Sequence, residues 1–304
     1  MSGDAHGGTA RAILYAFLAN AGIAVAKSVA AWVTGSGSML AEAIHSYADT
    51  GNQVLLFLGL RQSRKPPDAE HPLGYGKLSY FWSFIVALML FSLGGLFSIY
   101  EGMHKLSHPE PLDRIWIALV VLGIAIVLEA FSLAGCIREI NIIRAKRGFR
   151  DWLRHTRNSE LVVVLGEDIG ALLGLVIALM FVSLSAVTGD PTWDAIGSMS
   201  IGAVLLVISF FLASRVRALL VGRSADPMIR QVIDRIIADD EDIEEAFNVI
   251  TLQMGPDTLL AAKIRLRSGI GINAAVAHIN ELERQLKMEI PGLRWSFIEP
   301  DVTD

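Results

Sequence analysis

Long apolar runs separated by short polar stretches dominate the first two thirds of the chain. Six of these runs hold roughly 20 residues or more, which is enough to cross about 30 Å of hydrocarbon as a helix. They are Ala12 to Val33, Ser38 to Leu60, Leu78 to Gly102, Leu112 to Ile137, Ser159 to Leu184, and Trp193 to Leu219. The pattern predicts an all-α, polytopic membrane domain of six transmembrane helices over residues 12–219, preceded by a polar tail, residues 1–11.

Beyond about residue 220 the apolar positions follow the shorter periods of a small soluble domain. Pro227 to Ala238 has a helical stripe of isoleucine and valine, and two strand patterns flank the turn Gly255-Pro256-Asp257. The predicted strands are Phe247 to Met254, Leu259 to Leu266, and Trp295 to Ile298, with a helix from an Asn273 N-cap to about Met288 between the last two. The order αββαβ predicts a compact α+β domain of ferredoxin-like type over residues 220–304.

Composition supports a membrane class and narrows the chemistry. Of 304 residues, 53% are hydrophobic and only 19% are charged, which argues against a soluble enzyme. The single cysteine, Cys136, excludes a CxxC metal site, so metal chemistry would depend on His, Asp and Glu. No nucleotide-binding glycine loop, GxSxG elbow or HExxH motif is present, so we expect neither an enzyme nor a nucleic-acid-binding protein.

The charges between the runs predict the orientation of the chain. Arg61, Arg64, Lys65 and Lys77 lie between the second and third runs, and seven arginines and lysines lie between the fourth and fifth. Basic loops stay on the cytoplasmic side, so both termini are expected to be cytoplasmic in a multi-pass cell (inner) membrane protein. From Ser224 onward, 15 acidic and 8 basic residues give the soluble domain an acidic surface.

Ionisable residues inside an apolar span are costly, so each one suggests a function. His45 and Asp49 are four residues apart in the second run, which places both side chains on one face of the helix, close enough to share a cation. An imidazole with a carboxylate suits Zn²⁺ and also accepts Fe²⁺, Co²⁺ or Mn²⁺. Glu42 falls on the same face, nearer the outer end, where it can instead be solvated.

Other polar residues are predicted to lie at the same depth as Asp49. Counting about 1.5 Å per residue from the basic ends places Asp49, Asp168 and Glu129 all roughly 12 to 17 Å deep, with Asn20 at a comparable level. Glu129 can be a ligand or proton carrier, or it can pair with a neighbouring helix. Glu167 points about 100° away from Asp168 and can therefore be a packing acid.

These residues resemble those of the cation diffusion facilitator family of metal/proton antiporters. The matching segments are residues 35–38, residues 43–49 (Ala-Ile-His-Ser-Tyr-Ala-Asp), residues 71–77 (His-Pro-Leu-Gly-Tyr-Gly-Lys), Asp168, and Asp194 through Gly202. The resemblance covers nearly the whole chain and includes the cytoplasmic αββαβ domain.

The resemblance implies a homodimer in the lipid bilayer with a tetrahedral metal site between the second and fifth spans. It makes His45, Asp49 and Asp168 metal ligands. The family's second histidine would stand four residues before Asp168, where this chain has Val164, so Glu167 is the expected substitute. Such a Glu-Asp pair is similar to the subgroup that includes the mitochondrial zinc exporter of animals, which makes zinc the leading substrate.

Two further segments depart from the family pattern. Asp68 and His71 match part of a loop metal site of some members, but a later histidine is replaced by Tyr75, so His71 is expected to hold the loop through hydrogen bonds. Near the last strand, Glu299-Pro300-Asp301 stands where many members have His-x-Asp. The soluble domain is therefore expected to supply dimer contacts rather than a binuclear zinc site.

The sequence thus predicts a Zn²⁺/H⁺ antiporter that works by alternating access, with the metal as substrate and no cofactor. Metal and protons compete for the same ligands, and an imidazole, with an unperturbed pKa of about 6.5, is a natural proton carrier. The alternatives are transport of Mn²⁺, Fe²⁺ or Co²⁺, which carboxylate-rich sites favour, and a membrane scaffold or sensor whose acids form structural ion pairs.

Overall fold

The computed structural model describes residues 20–109, 114–144 and 146–303. Its helices are α1 (residues 20–34), α2 (Gly37–Ser63), α3 (Leu78–Ser107), α4 (Ile115–Arg144), α5 (Phe149–His155), α6 (Ser159–Thr188), α7 (Thr192–Gly222), α8 (Pro227–Ala238) and α9 (Ile272–Glu289). Its strands are β1 (Ile243–Met254), β2 (Asp257–Leu266) and β3 (Leu293–Pro300).

The predicted apolar runs correspond to helices α1, α2, α3, α4, α6 and α7. Within the described residues, four of these helices are long and apolar enough to cross a membrane, namely α3, α4, α6 and the one that begins at Thr192. The tail 1–11 and the start of the first predicted span, residues 12–19, lie outside the described residues. The helix α2 carries several polar and ionisable side chains, which set it apart from the four apolar helices.

The first residues of α2 are fixed by a carboxylate from α7. Asp194 accepts hydrogen bonds from the hydroxyl of Ser36 (2.7 Å) and from the backbone N–H groups of Gly37 (2.6 Å) and Ser38 (3.3 Å). A carboxylate at a helix N-terminus satisfies donors that have no partner within the helix. Gly35, with a φ of 66°, makes the turn that precedes this cap. The cap fixes where α2 begins and therefore the level of His45 and Asp49.

The helix α3 contains an irregular turn. Leu90–Leu96 form a π-helical segment, which is rare in proteins and occurs often at functional sites. Gly95 and Gly202 allow α3 and α7 to pack closely, because a Cβ added at Gly202 would lie 2.7 Å from the carbonyl oxygen of Gly95. Small residues at helix contacts are typical of membrane helices, whose backbones can then approach each other.

The C-terminal elements follow the predicted order αββαβ, and their strands form a three-stranded mixed sheet in the order β1-β2-β3. β1 and β2 are antiparallel and joined by the turn Gly255-Pro256, whereas β2 and β3 are parallel. A parallel pair needs a long crossover, which α9 supplies. The core of this sheet and its helices is formed by Ile233, Ile236, Ile237, Leu260, Ala262, Ile264, Leu282, Leu286, Ile290 and Leu293.

Among the differences from the predicted C-terminal elements are the start of β1 and the N-cap of α9. β1 begins at Ile243, four residues earlier than predicted, because its pairing with β2 continues through two irregular positions to Leu266. The N-cap of α9 is Gly271 and not Asn273, which lies inside the first turn of the helix. No side chain caps this helix end.

The chain divides into two compact units. The helical unit holds the described residues up to Leu58 together with Trp82–Ala145 and Glu160–Arg215. The C-terminal unit holds Val216–Asp304 together with Gly59–Phe81 and Lys146–Ser159, which are the connections that follow α2 and α4. The two basic loops of the sequence therefore belong to the same unit as the C-terminal sheet.

Candidate metal site

His45 and Asp49 lie one turn apart on α2, as their spacing predicted. The Nε2 atom of His45 is 3.5 Å from Oδ2 of Asp49. The His45 side chain is fully buried, whereas that of Asp49 is 15% exposed. Neither ring nitrogen of His45 nor Oδ1 of Asp49 has a hydrogen-bond partner among the described residues. Buried polar atoms without a partner are rare and costly, so they indicate a site for water or an ion.

A small cavity beside Asp49 collects the polar residues that were predicted to share its depth. Its volume of about 30 Å³ has room for about two water molecules, each of which needs about 10–15 Å³. It is lined by Asn20, Ile23, Ser46, Asp49, Gln53, Glu129, Ser132, Val164, Glu167, Asp168 and Ala171. Four carboxylates therefore face one cavity inside the helical unit.

The two acids of α6 are each held by a neighbour that the sequence analysis did not single out. Asn52 donates a hydrogen bond from Nδ2 to Oε1 of Glu167 (2.6 Å), and Ser132 donates to Oδ1 of Asp168 (3.3 Å). Asn52 lies three residues after Asp49 and so on the same face of α2, a spacing that could have revealed it. The second oxygen of Asp168, Oδ2, is buried and has no hydrogen-bond partner among the described residues.

The candidate ligand side chains do not surround a single point. Among the residues that the structure describes, no three His, Cys, Asp or Glu side chains stand close enough to hold one metal ion. His45 is not among the residues that line the cavity, although Asp49 connects it to them. Val164, in the position of the missing family histidine, does line the cavity beside Glu167 and Asp168.

The π-helical segment of α3 lies against the buried imidazole. A Cβ added at Gly94 would be 3.7 Å from Nδ1 of His45 and 3.1 Å from a methyl group of Leu205. The carbonyl oxygen of Gly94 is occupied by the hydroxyl of Ser98, at 2.6 Å. Gly94 therefore allows α3 to pack beside His45 without donating or accepting a hydrogen bond with its ring.

Glu42 is not solvated, contrary to one of the interpretations of the sequence. Its side chain is fully buried, and its Oε2 lies 3.1 Å from Nζ of Lys27. Lys27 is also fully buried and donates a second hydrogen bond to the hydroxyl of Ser46 at 2.7 Å. A buried acid is retained where a base pairs with it. The sequence analysis missed Lys27, although a lysine inside the apolar run of the first span is itself a signal.

The loop that follows α2 is held by Asp68. Its Oδ1 accepts the backbone N–H groups of Glu70 (3.1 Å) and His71 (2.7 Å), and its Oδ2 accepts the hydroxyl of Tyr75 (2.6 Å). The Tyr75 hydroxyl and the His71 backbone N–H lower the pKa of the Asp68 carboxyl. Both oxygens of Asp68 thus hold the loop, and the ring of His71 lies against that of Tyr75, with centroids 4.2 Å apart.

The end of this loop packs on the turn of the C-terminal hairpin. Gly76 and Gly255 are in backbone contact, since a Cβ on Gly76 would collide with the carbonyl group of Met254. The hydroxyl of Tyr80 donates to the carbonyl of Gly255 at 3.1 Å. From the other loop, Arg147 makes two hydrogen bonds to Asp226, the N-cap of α8. Residues of both basic loops therefore dock onto the C-terminal sheet and its first helix.

Asp301 and His278 of the C-terminal unit each lie close to an ionisable neighbour. Asp301 lies 2.8 Å from Nζ of Lys263, and Nε2 of His278 lies 3.1 Å from Asp240. Nδ1 of His278 faces Asp242 at 3.6 Å. These contacts join α9 to the start of β1 and β3 to β2, so they serve the local fold.

Comparison with known proteins identifies the family. A family model described as the cation efflux transmembrane domain matches residues 13–221, which is more than half of the chain. This chain belongs to the cation efflux family. The predicted resemblance to the cation diffusion facilitator family is confirmed, and the protein is a membrane protein.

Several relatives in the cation efflux family carry names that describe metal transport. A Xenopus laevis protein named proton-coupled zinc antiporter SLC30A9, mitochondrial, is 35% identical over 84% of this chain and 45% of its own length. Arabidopsis thaliana metal tolerance protein C4 is 32% identical over 83% of this chain and 55% of its own. Cation-efflux pump FieF of Yersinia enterocolitica is 25% identical over 88% of this chain and 84% of its own length. This chain spans about half the length of the first two relatives.

Proposed function

We propose that this chain exports a divalent metal cation, chiefly Zn²⁺, in exchange for protons. The observation that carries the proposal is the cavity inside the helical unit, where Asp49, Glu129, Glu167 and Asp168 meet. Carboxylates at membrane depth are expensive unless a cation or a proton neutralises them. The names of the relatives, a proton-coupled zinc antiporter and a cation-efflux pump, support the same function.

The proposed ligands are His45, Asp49, Asp168 and Glu167. Unpartnered, buried nitrogen and oxygen atoms on His45, Asp49 and Asp168 support them as a binding set. Since no three acids or histidines of the described residues yet surround one point, loading requires these side chains to draw together. The hydrogen bond from Asn52 orients Glu167 for this step, in the way that outer partners orient metal ligands.

Proton exchange follows from the same ligands. Zinc binds deprotonated carboxylates and neutral imidazole, so a loaded site excludes protons and a protonated site excludes zinc. With only one imidazole in the set, more of the exchanged protons must be carried by Asp49, Glu167 and Asp168. Carboxylates favour harder ions, and Mn²⁺, Fe²⁺ or Co²⁺ are therefore the competing substrates, while the imidazole of His45 favours zinc.

The membrane arrangement completes the proposal. The helices α1, α2, α3, α4, α6 and α7 are proposed as six spans, with both termini and both basic loops in the cytoplasm. Residues 12–219 are the proposed transport domain, and residues 220–304 the proposed cytoplasmic domain that carries the contacts of a homodimer.

Zinc flux into proteoliposomes under an imposed pH gradient tests the proposal. We expect flux that reverses with the gradient and that is lost in Asp49→Ala and His45→Ala variants. Flux that ignores the gradient contradicts proton exchange, and unchanged flux in both variants contradicts His45 and Asp49 as ligands. Flux no greater than in protein-free vesicles would instead support a scaffold or sensor. Competition by Mn²⁺, Fe²⁺ and Co²⁺ in the same vesicles gives the order of substrates.

A further inference from the structure

The buried pair Lys27 and Glu42 lies directly beyond one end of the cavity. Along α1 the cavity is lined as far as Ile23, along α2 as far as Ser46, and along α6 as far as Ala171. Lys27, Glu42 and Gly174 each follow one turn further toward the end of the bundle that carries Gly35. The three residues therefore form a layer across three helices, immediately outside the cavity.

The contacts within this layer connect all three helices. Nζ of Lys27 bonds to Glu42 at 3.1 Å and to the hydroxyl of Ser46 at 2.7 Å, which joins α1 to α2. The other oxygen of Glu42, Oε1, rests against Gly174 of α6, where an added Cβ would collide with it. This oxygen is buried and has no hydrogen-bond partner among the described residues. Gly174 thus leaves room for the carboxylate rather than bonding to it.

Exposure changes sharply along α2 on either side of Ser46. Glu42 and His45 are fully buried, whereas Asp49 is 15% exposed at the cavity. The exposed part of this polar face therefore includes Asp49 and ends before His45 and Glu42. Lys27 links this buried region to the cavity, because it bonds both to Ser46, which lines the cavity, and to Glu42.

We propose that Lys27 and Glu42, seated against Gly174, form the closed gate between this cavity and the side of the membrane that carries Gly35. A buried ion pair holds only while both charges stay desolvated and in contact, so it gives a closed state and, once separated and hydrated, an open one. The inference rests on the proposed transport function, because a gate has a purpose only where the cavity holds a cargo.

Gly174→Ala is the sharpest test of the gate. The added methyl group occupies the place of Oε1 of Glu42 and forces the carboxylate away, without removing either charge. Ile23 lines the cavity, so the Ile23→Cys variant reports whether a thiol reagent can enter it. Cys136 is replaced by alanine first, so that the introduced cysteine is the one that reacts. A small membrane-impermeant thiol reagent is added to full-length protein in vesicles from the side of Gly35. A cysteine at Val187, which is 86% exposed at the end of α6, marks that side.

We expect Gly174→Ala to raise the rate at which Ile23→Cys is labelled from that side by about tenfold or more, because the rate scales with the open population. Glu42→Gln, which keeps the size of the side chain and removes the pair, should act in the same direction and serves where Gly174→Ala does not fold. Gly123→Ala is the matched control, since its methyl group meets nothing within 4 Å.

Unchanged labelling in both gate variants overturns the proposal and leaves the pair a packing contact. Labelling requires no metal, so its result is independent of zinc flux. Faster labelling in vesicles that move no zinc under any gradient would keep the gate and refute the proposed function. Zinc flux that follows the gradient, with unchanged labelling in both gate variants, would keep the proposed function and refute the gate.

Discussion

Acidic residues occur in both units of the chain, but their surroundings differ. In the helical unit, Asp49 and Asp168 each keep a buried oxygen without a hydrogen-bond partner among the described residues. In the C-terminal unit, acids such as Asp226 and Asp257 are partnered by Arg147 and Arg294. Partnered surface acids hold local structure, whereas buried acids that lack a partner are available to a cation. The contrast supports the proposed metal site in the helical unit.

The largest effect is expected from removing a cavity acid. Asp49→Ala should lower zinc flux by more than about 100-fold, because even the outer partners of metal ligands are worth about 10–100-fold. Asp234→Ala, at an exposed pair with Arg230 on α8, is the control and should leave flux unchanged. Flux per folded protein in proteoliposomes measures both. Equal losses of zinc flux in the two variants would show that the acids of the two units do not differ in their role in transport.

The next effect tests a partner of the site rather than a proposed ligand. Asn52→Ala removes the hydrogen bond to Glu167 and should weaken zinc affinity by about 10-fold while leaving the amount of folded protein unchanged. Zinc binding by the detergent-solubilised protein is the measurement. Asn141→Ala, which lies on α4 beside Arg144, provides the control for loss of an amide. Unaltered affinity in Asn52→Ala would show that Glu167 needs no orientation.

A smaller effect on stability is expected where the loop meets the hairpin turn. Gly76→Ala places a methyl group against the Met254 carbonyl, so overpacking should cost about 1–3 kcal/mol of unfolding free energy in the C-terminal unit. Gly74→Ala is the control within the same loop. It is strained by a φ of 73°, but its methyl group meets only ordinary contacts near Pro67. Thermal unfolding and protease resistance of the full chain should fall further in Gly76→Ala, and equal or reversed losses would contradict docking.

The smallest effect concerns the pair between Arg147 and Asp226. Burial alone would raise the pKa of Asp226, but the hydrogen bonds from Arg147 and from the Met228 backbone N–H, together with the charges of Arg147 and Arg157, outweigh it and lower the pKa. A carboxyl with a lowered folded pKa stabilises the fold above its unfolded pKa, about 3.9, and loses that contribution as the pH falls through the folded value.

Arg147→Gln should therefore destabilise the C-terminal unit at pH 7 and flatten the loss of stability on acidification. Arg235→Gln, at an exposed pair with Glu289, should change neither. Unfolding midpoints measured between pH 7 and pH 3 give the comparison. Parallel curves for the Arg147→Gln variant and the unaltered chain would exclude a contribution from the pair.

The apolar pattern predicted much of the fold, and the polar pattern predicted less of the site. The positions of the long helices followed from the apolar runs, because a run of this length has few alternatives to a helix. The meeting of Asp49, Glu129 and Asp168 followed from depth. Lys27 and Asn52 each carried a sequence signal, a charge inside an apolar run and a three-residue spacing from Asp49. Their contacts with Glu42 and Glu167 could not be predicted, because depth does not fix the rotation of a helix about its own axis. The N-cap at Gly271 was missed because no side chain there marks it.

Anomalous scattering at the zinc edge from crystals soaked in Zn²⁺ tests the central claim most directly. The account predicts one peak in the helical unit, about 2.0–2.2 Å from His45 Nε2 or Nδ1 and from oxygens of Asp49 and Asp168, with Glu167 or water as the fourth ligand. The peak should disappear in Asp49→Ala. Zinc bound only by the C-terminal unit, with the cavity acids left unligated, would contradict the account.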